Sequence, residues 1–221
     1  MKNPKTHIYF VPGLAASSKI FEYLKFPDDT FKLHFLEWLL PLSETEKIED
    51  YSKRMAALVT AENPVLVGVS FGGILVQEME KHIPTSKIII ISSVKSNNEF
   101  PRRMKVAKAT MAYKLFPSKL VSKFEVLTKY SFSQKITKRL ELYKKYLDVN
   151  DEKYLDWAIE NVILWKRDVP DENVIHIHGL NDEIFPAKYI SNYIPVKEGT
   201  HIMILNKYKW FNENLPLLIV K

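Results

Sequence analysis

The residue pattern with the clearest chemical meaning lies in a nine-residue stretch of the first half of the chain. Residues 65–73 read VLVGVSFGG, an apolar β-type run that ends in Gly-x-Ser-x-Gly. The residues that follow, 72–82, have the apolar spacing of a helix. Ser70 would therefore stand on a sharp strand-to-helix turn, with an exposed hydroxyl above the N-terminal end of a helix. This context predicts a nucleophilic serine; the alternative is a structural serine in an ordinary turn.

A serine hydroxyl is a weak nucleophile at neutral pH and needs a base within hydrogen-bonding distance. His201 is the best candidate among the six histidines, because it lies in the loop beyond the last β-type run, residues 193–197. That loop is at the same edge of the predicted sheet as Ser70. The remaining histidines lie on or beside predicted strands and helices and are expected to be packed or surface residues: His7, His34, His82, His176 and His178.

The third member of such a group is a buried carboxylate that fixes the tautomer of the histidine and stabilises its charged form. Residues 174–186 read VIHIHGLNDEIFP, so a β-type run ends at a glycine and is followed by Asp182 and Glu183. Asp182 is predicted to be the partner of His201. Glu183, one residue later, would point elsewhere and is expected to face solvent or to cap the next turn.

Acyl transfer also needs N–H groups for a developing oxyanion. The backbone N–H of Phe71, directly after the serine, is one predicted donor. Residues 10–15 read FVPGLA and close the first β-type run, which makes the backbone N–H of Leu14 the natural second donor. The alternative for this segment is a plain strand-ending turn.

The elements that must position these residues alternate between β-type and helical patterns. Apolar β-type runs occupy residues 7–11, 32–36, 65–69, 87–92, 174–178 and 193–197, and helical spacing occupies residues 48–61 and 72–82. This alternation predicts a three-layer α/β/α sandwich with a mainly parallel sheet of about six strands. All six glycines fall at the carboxyl ends of predicted strands or in the turns beyond them, where ligands bind to such sheets. A closing helix over residues 207–221 is expected to be interrupted or to end near Pro216.

Residues 95–165, called the insertion below, break this alternation. They lack a β-type run and are predicted to form two to four amphipathic helices between two parts of a core, residues 1–94 and 166–221. The basic character of the chain, whose net charge is +6, comes from this segment, because residues 95–153 hold 15 Lys and Arg against 6 Asp and Glu. These residues are expected to be a solvated helix face. A site for an anionic substrate, such as an acyl-coenzyme A thioester, is the alternative.

With these motifs the chain resembles the α/β-hydrolase superfamily, and within it the small bacterial esterase-like branch. The resemblance rests on residues 12–14 (PGL), 68–73 (GVSFGG), 178–182 (HGLND) with Pro186, and 199–201 (GTH), and it covers roughly residues 6–94 and 166–215. The chain departs from the family at Pro12, where many relatives have a histidine that orders the loop. It also begins at the strand that is usually third, which is why a reduced sheet of about six strands is expected.

The resemblance implies a serine hydrolase that cleaves a carboxylic ester or thioester through an acyl-enzyme, without a cofactor. It also implies that the insertion is a helical lid, whose candidate substrate-binding residues are Met104, Phe116, Trp157 and Trp165. The same catalytic group serves C–C bond hydrolases, acyltransferases and cofactor-free peroxidases, so these activities stay open. A catalytically silent binding protein on the same scaffold is the alternative of a different class.

Composition excludes several other classes. The chain has no cysteine, so disulfides, thiolate metal sites and cysteine nucleophiles are excluded. It contains no phosphate-binding loop and no His-Glu-x-x-His pair, and no metal site is expected at the strand histidines. No apolar run is long enough to span a membrane, and no recognised nucleic-acid-binding module accompanies the basic residues. A small-molecule substrate and a cytoplasmic location are expected, and the oligomeric state is not predicted.

Overall fold

The computed structural model describes residues 4–115 and 145–220, and its centre is a six-stranded sheet. The strands are β1 (Thr6–Val11), β2 (Phe31–Phe35), β3 (Val65–Val69), β4 (Lys87–Ile91), β5 (Ile175–Gly179) and β6 (Ile194–Val196). Their order is β2-β1-β3-β4-β5-β6, and every neighbouring pair is parallel. The parallel pairing brings the carboxyl ends of all six strands to one edge of the sheet.

Helices cover both faces of this sheet. In the described residues they are α1 (Ile48–Ala56), α2 (Phe71–Met79), α3 (Arg102–Thr110), α4 (Glu152–Leu164), α5 (Met203–Asn206) and α6 (Tyr208–Val220). The three-layer arrangement predicted from the sequence is confirmed, with strand ends within two residues of the predicted ones. None of these helices is both long enough and apolar enough to cross a membrane.

The sheet is buried on both sides because its strands are apolar at nearly consecutive positions. Side chains alternate between the faces of a strand, so Leu66 of β3 packs with α1, α2 and α4, whereas Val65 and Val67 pack with α5 and α6. Two hydrophobic cores result, one on each face. This is the pattern expected of a parallel sheet covered by helices on both sides.

The closing helix differs from the expectation at one point. Helix α6 continues through Pro216 to Val220 instead of being interrupted or ending there. Phe211, Leu215 and Ile219 are buried on both sides of the proline, so both halves of the helix pack against the sheet. The ammonium group of Lys87 donates to the carbonyls of Leu218 and Ile219 at its carboxyl end.

The ends of the insertion pack against the core. Helix α3 follows β4, and helix α4 leads back towards β5 and places Tyr154, Leu155 and Trp157 in the core on the α2 side of the sheet. Residues 116–144 lie outside the described residues. The division into a core of residues 1–94 and 166–221 and a lid of residues 95–165 stays a prediction.

Candidate active site

Ser70 lies on a strained turn between β3 and α2. Its φ is 53° and its ψ is −117°, a conformation that costs a non-glycine residue about 1–3 kcal/mol. The neighbouring glycines allow the turn because a Cβ at Gly68 would lie 2.1 Å from the carbonyl oxygen of Gly72. The Ser70 carbonyl accepts hydrogen bonds from the Gly73 N–H, at 2.9 Å, and from the Ser93 hydroxyl, at 2.7 Å. The sharp strand-to-helix turn expected from the sequence is therefore present.

Two further loops meet beside this turn. The loop after β5 and the loop after β6 are joined by the Asn181 N–H, which donates to the Gly199 carbonyl at 2.8 Å. The contact is so close that a Cβ at Gly179 would lie 2.4 Å from the same oxygen. Glycines at both positions therefore let the two loops approach, and this approach brings Asp182 and His201 together.

The three side chains singled out in the sequence form one hydrogen-bonded series. The Nε2 atom of His201 lies 2.9 Å from the Oγ atom of Ser70, and its Nδ1 atom lies 2.9 Å from Oδ2 and 3.2 Å from Oδ1 of Asp182. With His201 neutral and protonated on Nδ1, the ring donates to the carboxylate and accepts the proton of the serine hydroxyl. Glu183 is exposed and takes no part in the series.

Asp182 is held as an ion. The residue is 4% exposed, and its Oδ1 atom accepts hydrogen bonds from the backbone N–H groups of Ile184 and Phe185 at 2.8 and 2.9 Å. Burial by itself would raise the pKa of the carboxyl. His201 and the Phe185 N–H outweigh this effect and bring the pKa of Asp182 below its usual value. A buried carboxylate that stays ionised can stabilise a positive charge on His201.

Two backbone N–H groups near Ser70 are free to bind an anion. Within the described residues, neither Leu14 nor Phe71 donates its N–H to another protein group. Phe71 is the first residue of α2, where a helix N–H has no partner within the helix. The loop of Leu14 lies against the same turn, because a Cβ at Gly72 would meet the Pro12 carbonyl oxygen at 2.3 Å. Their role as an oxyanion hole stays a prediction at this point.

Comparison with known proteins gives likeness in structure only. No protein-family model matches the chain, and no curated protein matches it. A hydrolase from Pseudomonas aeruginosa PA01 matches with a TM-score of 0.69 and 13% identity, over 98% of this chain and 91% of its own. A bromoperoxidase from Bacillus anthracis matches with a TM-score of 0.66 and 18% identity, over 99% of this chain and 93% of its own. An esterase from Exiguobacterium antarcticum matches with a TM-score of 0.65 and 14% identity, over 98% of this chain and 92% of its own. The chain has the α/β-hydrolase fold.

Two buried histidines lie on β5, the strand that leads into the loop of Asp182. With His178 neutral, its Nε2–H donates to the Phe185 carbonyl at 2.8 Å and its Nδ1 accepts from His176 Nε2–H at 3.1 Å. Burial lowers the pKa of His178, and it lowers that of His176 well below the usual value. The pair therefore supports the Asp182 loop as neutral groups. In the described part of the chain, no cluster of three or more His, Asp or Glu side chains is placed to hold a metal ion.

Three of the four candidate substrate-binding residues are described by the structure, and they pack in the hydrophobic core on the α2 side of the sheet, where the Trp157 ring meets that of Phe71. Trp157 and Trp165 are 2% and 3% exposed, and their indole N–H groups donate to the Glu46 carbonyl and the Glu78 carboxylate. Met104 is half-buried against the same core, and Phe116 lies outside the described residues. A role for these four residues in substrate binding stays a prediction.

Sequence reasoning missed the residues that line the space next to Ser70. A small pocket there is bounded on its apolar sides by Ile20, Val69, Ile202, Ile204 and Leu205. Three of these come soon after His201 in the chain, Ile202 directly and Ile204 and Leu205 in α5, and Ile20 lies in the 3₁₀ turn after β1. Their proximity in sequence to the predicted site residues was a usable signal. No sequence signal pointed to Arg103 of α3, whose guanidinium donates to the carbonyls of Glu183 and Ile184.

Proposed function

We propose that this protein is a serine hydrolase that cleaves a carboxylic ester or thioester through an acyl-enzyme intermediate. The observation that carries the proposal is the continuous series from Ser70 through His201 to Asp182, with both bridging distances at 2.9 Å. The fold supports it, since proteins described as a hydrolase and an esterase share this fold over nearly the whole chain.

In the first half of the reaction the Ser70 oxygen attacks the carbonyl carbon of the substrate. His201 accepts the hydroxyl proton on Nε2, and the ionised Asp182 stabilises the resulting imidazolium. The negative charge that develops on the carbonyl oxygen is met by the N–H groups of Leu14 and Phe71. The tetrahedral intermediate then expels the alcohol or thiol, which takes its proton from His201, and the acyl group stays on Ser70.

The second half repeats these steps with water. His201 removes a proton from a water molecule that attacks the acyl carbon, and the same two N–H groups bind the second oxyanion. Collapse of that intermediate releases the carboxylic acid and returns the proton to Ser70. The protein ends as it began, and no cofactor enters the balance.

The decisive experiment uses a fluorophosphonate probe and a short-chain nitrophenyl ester, with wild type, Ser70→Ala and His201→Ala side by side. We expect labelling and turnover in wild type, and a loss of about 10⁴-fold or more in kcat in each variant. Ser52→Ala is a suitable control, because its hydroxyl is buried but donates to the Glu49 carbonyl in α1, outside the site. Hydrolysis that survives in Ser70→Ala would contradict the mechanism.

Failure of the folded wild type to be labelled and to turn over any ester or thioester would favour a binding protein on this scaffold.

A thioester of an anionic carrier tests whether the basic insertion contributes to substrate binding. If the insertion binds such a carrier, KM for an acyl-coenzyme A should rise with salt, whereas KM for the neutral ester should not. Equal salt dependence for both substrates would remove the anionic carrier from the proposal.

A further inference from the structure

Trp38 follows β2 and reaches across to the loop after β1. Its indole Nε1–H donates to the Gly13 carbonyl oxygen at 3.1 Å. The same oxygen also accepts the N–H of Ala16 at 3.0 Å. The Gly13 carbonyl is therefore held by two donors, one from its own loop and one from a distant part of the chain.

This bond fixes a group that the proposed reaction needs. The carbonyl of Gly13 and the N–H of Leu14 belong to one planar peptide unit and point in opposite directions. Holding the carbonyl towards Trp38 therefore holds the Leu14 N–H away from it, free to meet an anion. A hydrogen bond accepted by an amide carbonyl also polarises the amide, which makes its N–H a stronger donor.

The ring of Trp38 contacts the other proposed donor residue as well. It stacks on the Phe71 ring with a centroid distance of 5.1 Å and an interplanar angle of 14°. Phe71 is buried and carries the second free N–H. One side chain thus contacts both Phe71 and the peptide unit that carries the Leu14 N–H.

We propose that Trp38 is a positioning residue for the oxyanion hole: it orients the Leu14 N–H through the Gly13 carbonyl and fixes Phe71 by stacking. The proposal rests on the proposed hydrolase function. Trp38 orders the loop from the segment that follows β2.

The test compares Trp38→Phe with Tyr51→Phe. Trp38→Phe keeps an aromatic ring but removes the donor, while Tyr51→Phe removes a hydrogen bond of 2.7 Å to the carbonyl of Leu39, next to Trp38 in the chain. Loss of an oxyanion donor costs about 10²- to 10³-fold in kcat, so misorientation of one donor should cost about 10- to 100-fold. We expect this loss in kcat, with KM changed less than about twofold, in Trp38→Phe and not in Tyr51→Phe.

Inhibitor affinity gives a readout that a purely structural role would not move. A trifluoromethyl ketone forms an oxyanion on Ser70, so its affinity should fall in parallel with kcat in Trp38→Phe. Trp38→His should recover part of both, because Nε2 of histidine is separated from the backbone by the same bonds as Nε1 of tryptophan. Trp38→Tyr, which also lacks a donor at this point, replaces Trp38→Phe if that variant does not fold.

The two hypotheses fail separately. If hydrolysis depends on Ser70 but Trp38→Phe keeps kcat and inhibitor affinity within about twofold of wild type, the role of Trp38 is wrong and the hydrolase stands. If hydrolysis does not depend on Ser70, the proposed function itself fails. Equal losses in Trp38→Phe and Tyr51→Phe would show that the effect is general loosening of the core and would also overturn the role of Trp38.

Discussion

The turn at Ser70 and the loop of residues 12–18, which carries Leu14, lie side by side but are held by different kinds of contact. The turn is held mainly from within, by the close approach of Gly68 to Gly72 and by the bond from Gly73 N–H to the Ser70 carbonyl. The loop depends on distant residues. These are Trp38, and the returning end of the insertion, where Tyr146, Asp148 and Val149 all bond to it.

This difference separates what is fixed by local sequence from what can be tuned. If the turn does not form, β3 and α2 cannot pack together. The loop can shift by small amounts when a distant contact changes. Since the N–H of Leu14 is on that loop, the insertion is mechanically connected to the proposed oxyanion hole. Two backbone bonds, Ser17 N–H to the Tyr146 carbonyl and Val149 N–H to the Ala15 carbonyl, make the connection at 3.0 and 3.1 Å.

The largest effect should follow from Gly72→Ala. The new Cβ would lie 2.3 Å from the Pro12 carbonyl oxygen and 2.4 Å from that of Val11, both backbone atoms that cannot move without shifting β1. We expect the free energy of unfolding to fall by about 3 kcal/mol and activity to be lost, as measured by urea unfolding and ester turnover.

Gly73→Ala is the matched control for this prediction. Its Cβ would meet the Cβ and Oγ atoms of Ser93, both at 2.5 Å, which are side-chain atoms. Ser93→Gly should therefore recover part of the stability lost in Gly73→Ala but none of that lost in Gly72→Ala. If Gly72→Ala were as stable as wild type, close packing of the turn against the end of β1 would not be what requires glycine at this position.

Local contacts are also what the sequence revealed. The six strands follow from their apolar runs, and the turn at Ser70 and the approach of Asp182 and His201 follow from glycines at strand ends, so they could be predicted. Asp182 rather than Glu183 faces His201. The roles of Trp38 and Arg103 could not. Each donates to a backbone carbonyl, and any residue type can supply a carbonyl, so the partner leaves no mark in the sequence.

The loop of Asp182 is, like the turn at Ser70, held by nearby residues. These are His176 and His178, which are neutral in the folded protein. Burial lowers the pKa values of His176 and His178, so the unfolded chain takes up protons there at a higher pH than the folded one. Their contribution to stability is therefore fully present above pH about 6.5 and is lost as the pH falls towards the lower folded values. The free energy of unfolding should then fall by up to about 1.4 kcal/mol per pH unit for each proton that the unfolded chain binds and the folded protein does not.

Urea unfolding at a series of pH values between 7.5 and 5 tests this prediction. The double variant His176→Gln and His178→Gln should flatten the slope, whereas His82→Gln, at an exposed histidine beyond α2, should not. Equal slopes in wild type and the double variant would show that other groups control the acid response and that the Asp182 loop does not depend on neutral histidines.

The smallest effect should come from the contact between the insertion and the loop of Leu14. Asp148 accepts the Ser17 hydroxyl at 2.7 Å and pairs with Lys19 at 2.9 Å, and it is 40% exposed. Asp148→Ala removes both contacts but leaves the two backbone bonds of the loop in place. Stability should hardly change, because exposed ion pairs contribute little. We expect kcat to fall by about three- to tenfold through a small displacement of the loop.

Lys19→Gln separates the two contacts of Asp148, because it breaks the ion pair and keeps the bond to Ser17. If the Ser17 bond is what positions the loop, Lys19→Gln should keep kcat within about twofold of wild type, while Asp148→Ala and Ser17→Ala should fall together. Identical activity in all three variants would mean that the backbone bonds alone hold the loop. The insertion would then contact the loop of Leu14 without affecting the position of its N–H. The loop and the turn at Ser70 would differ only in how far along the chain their contacts reach.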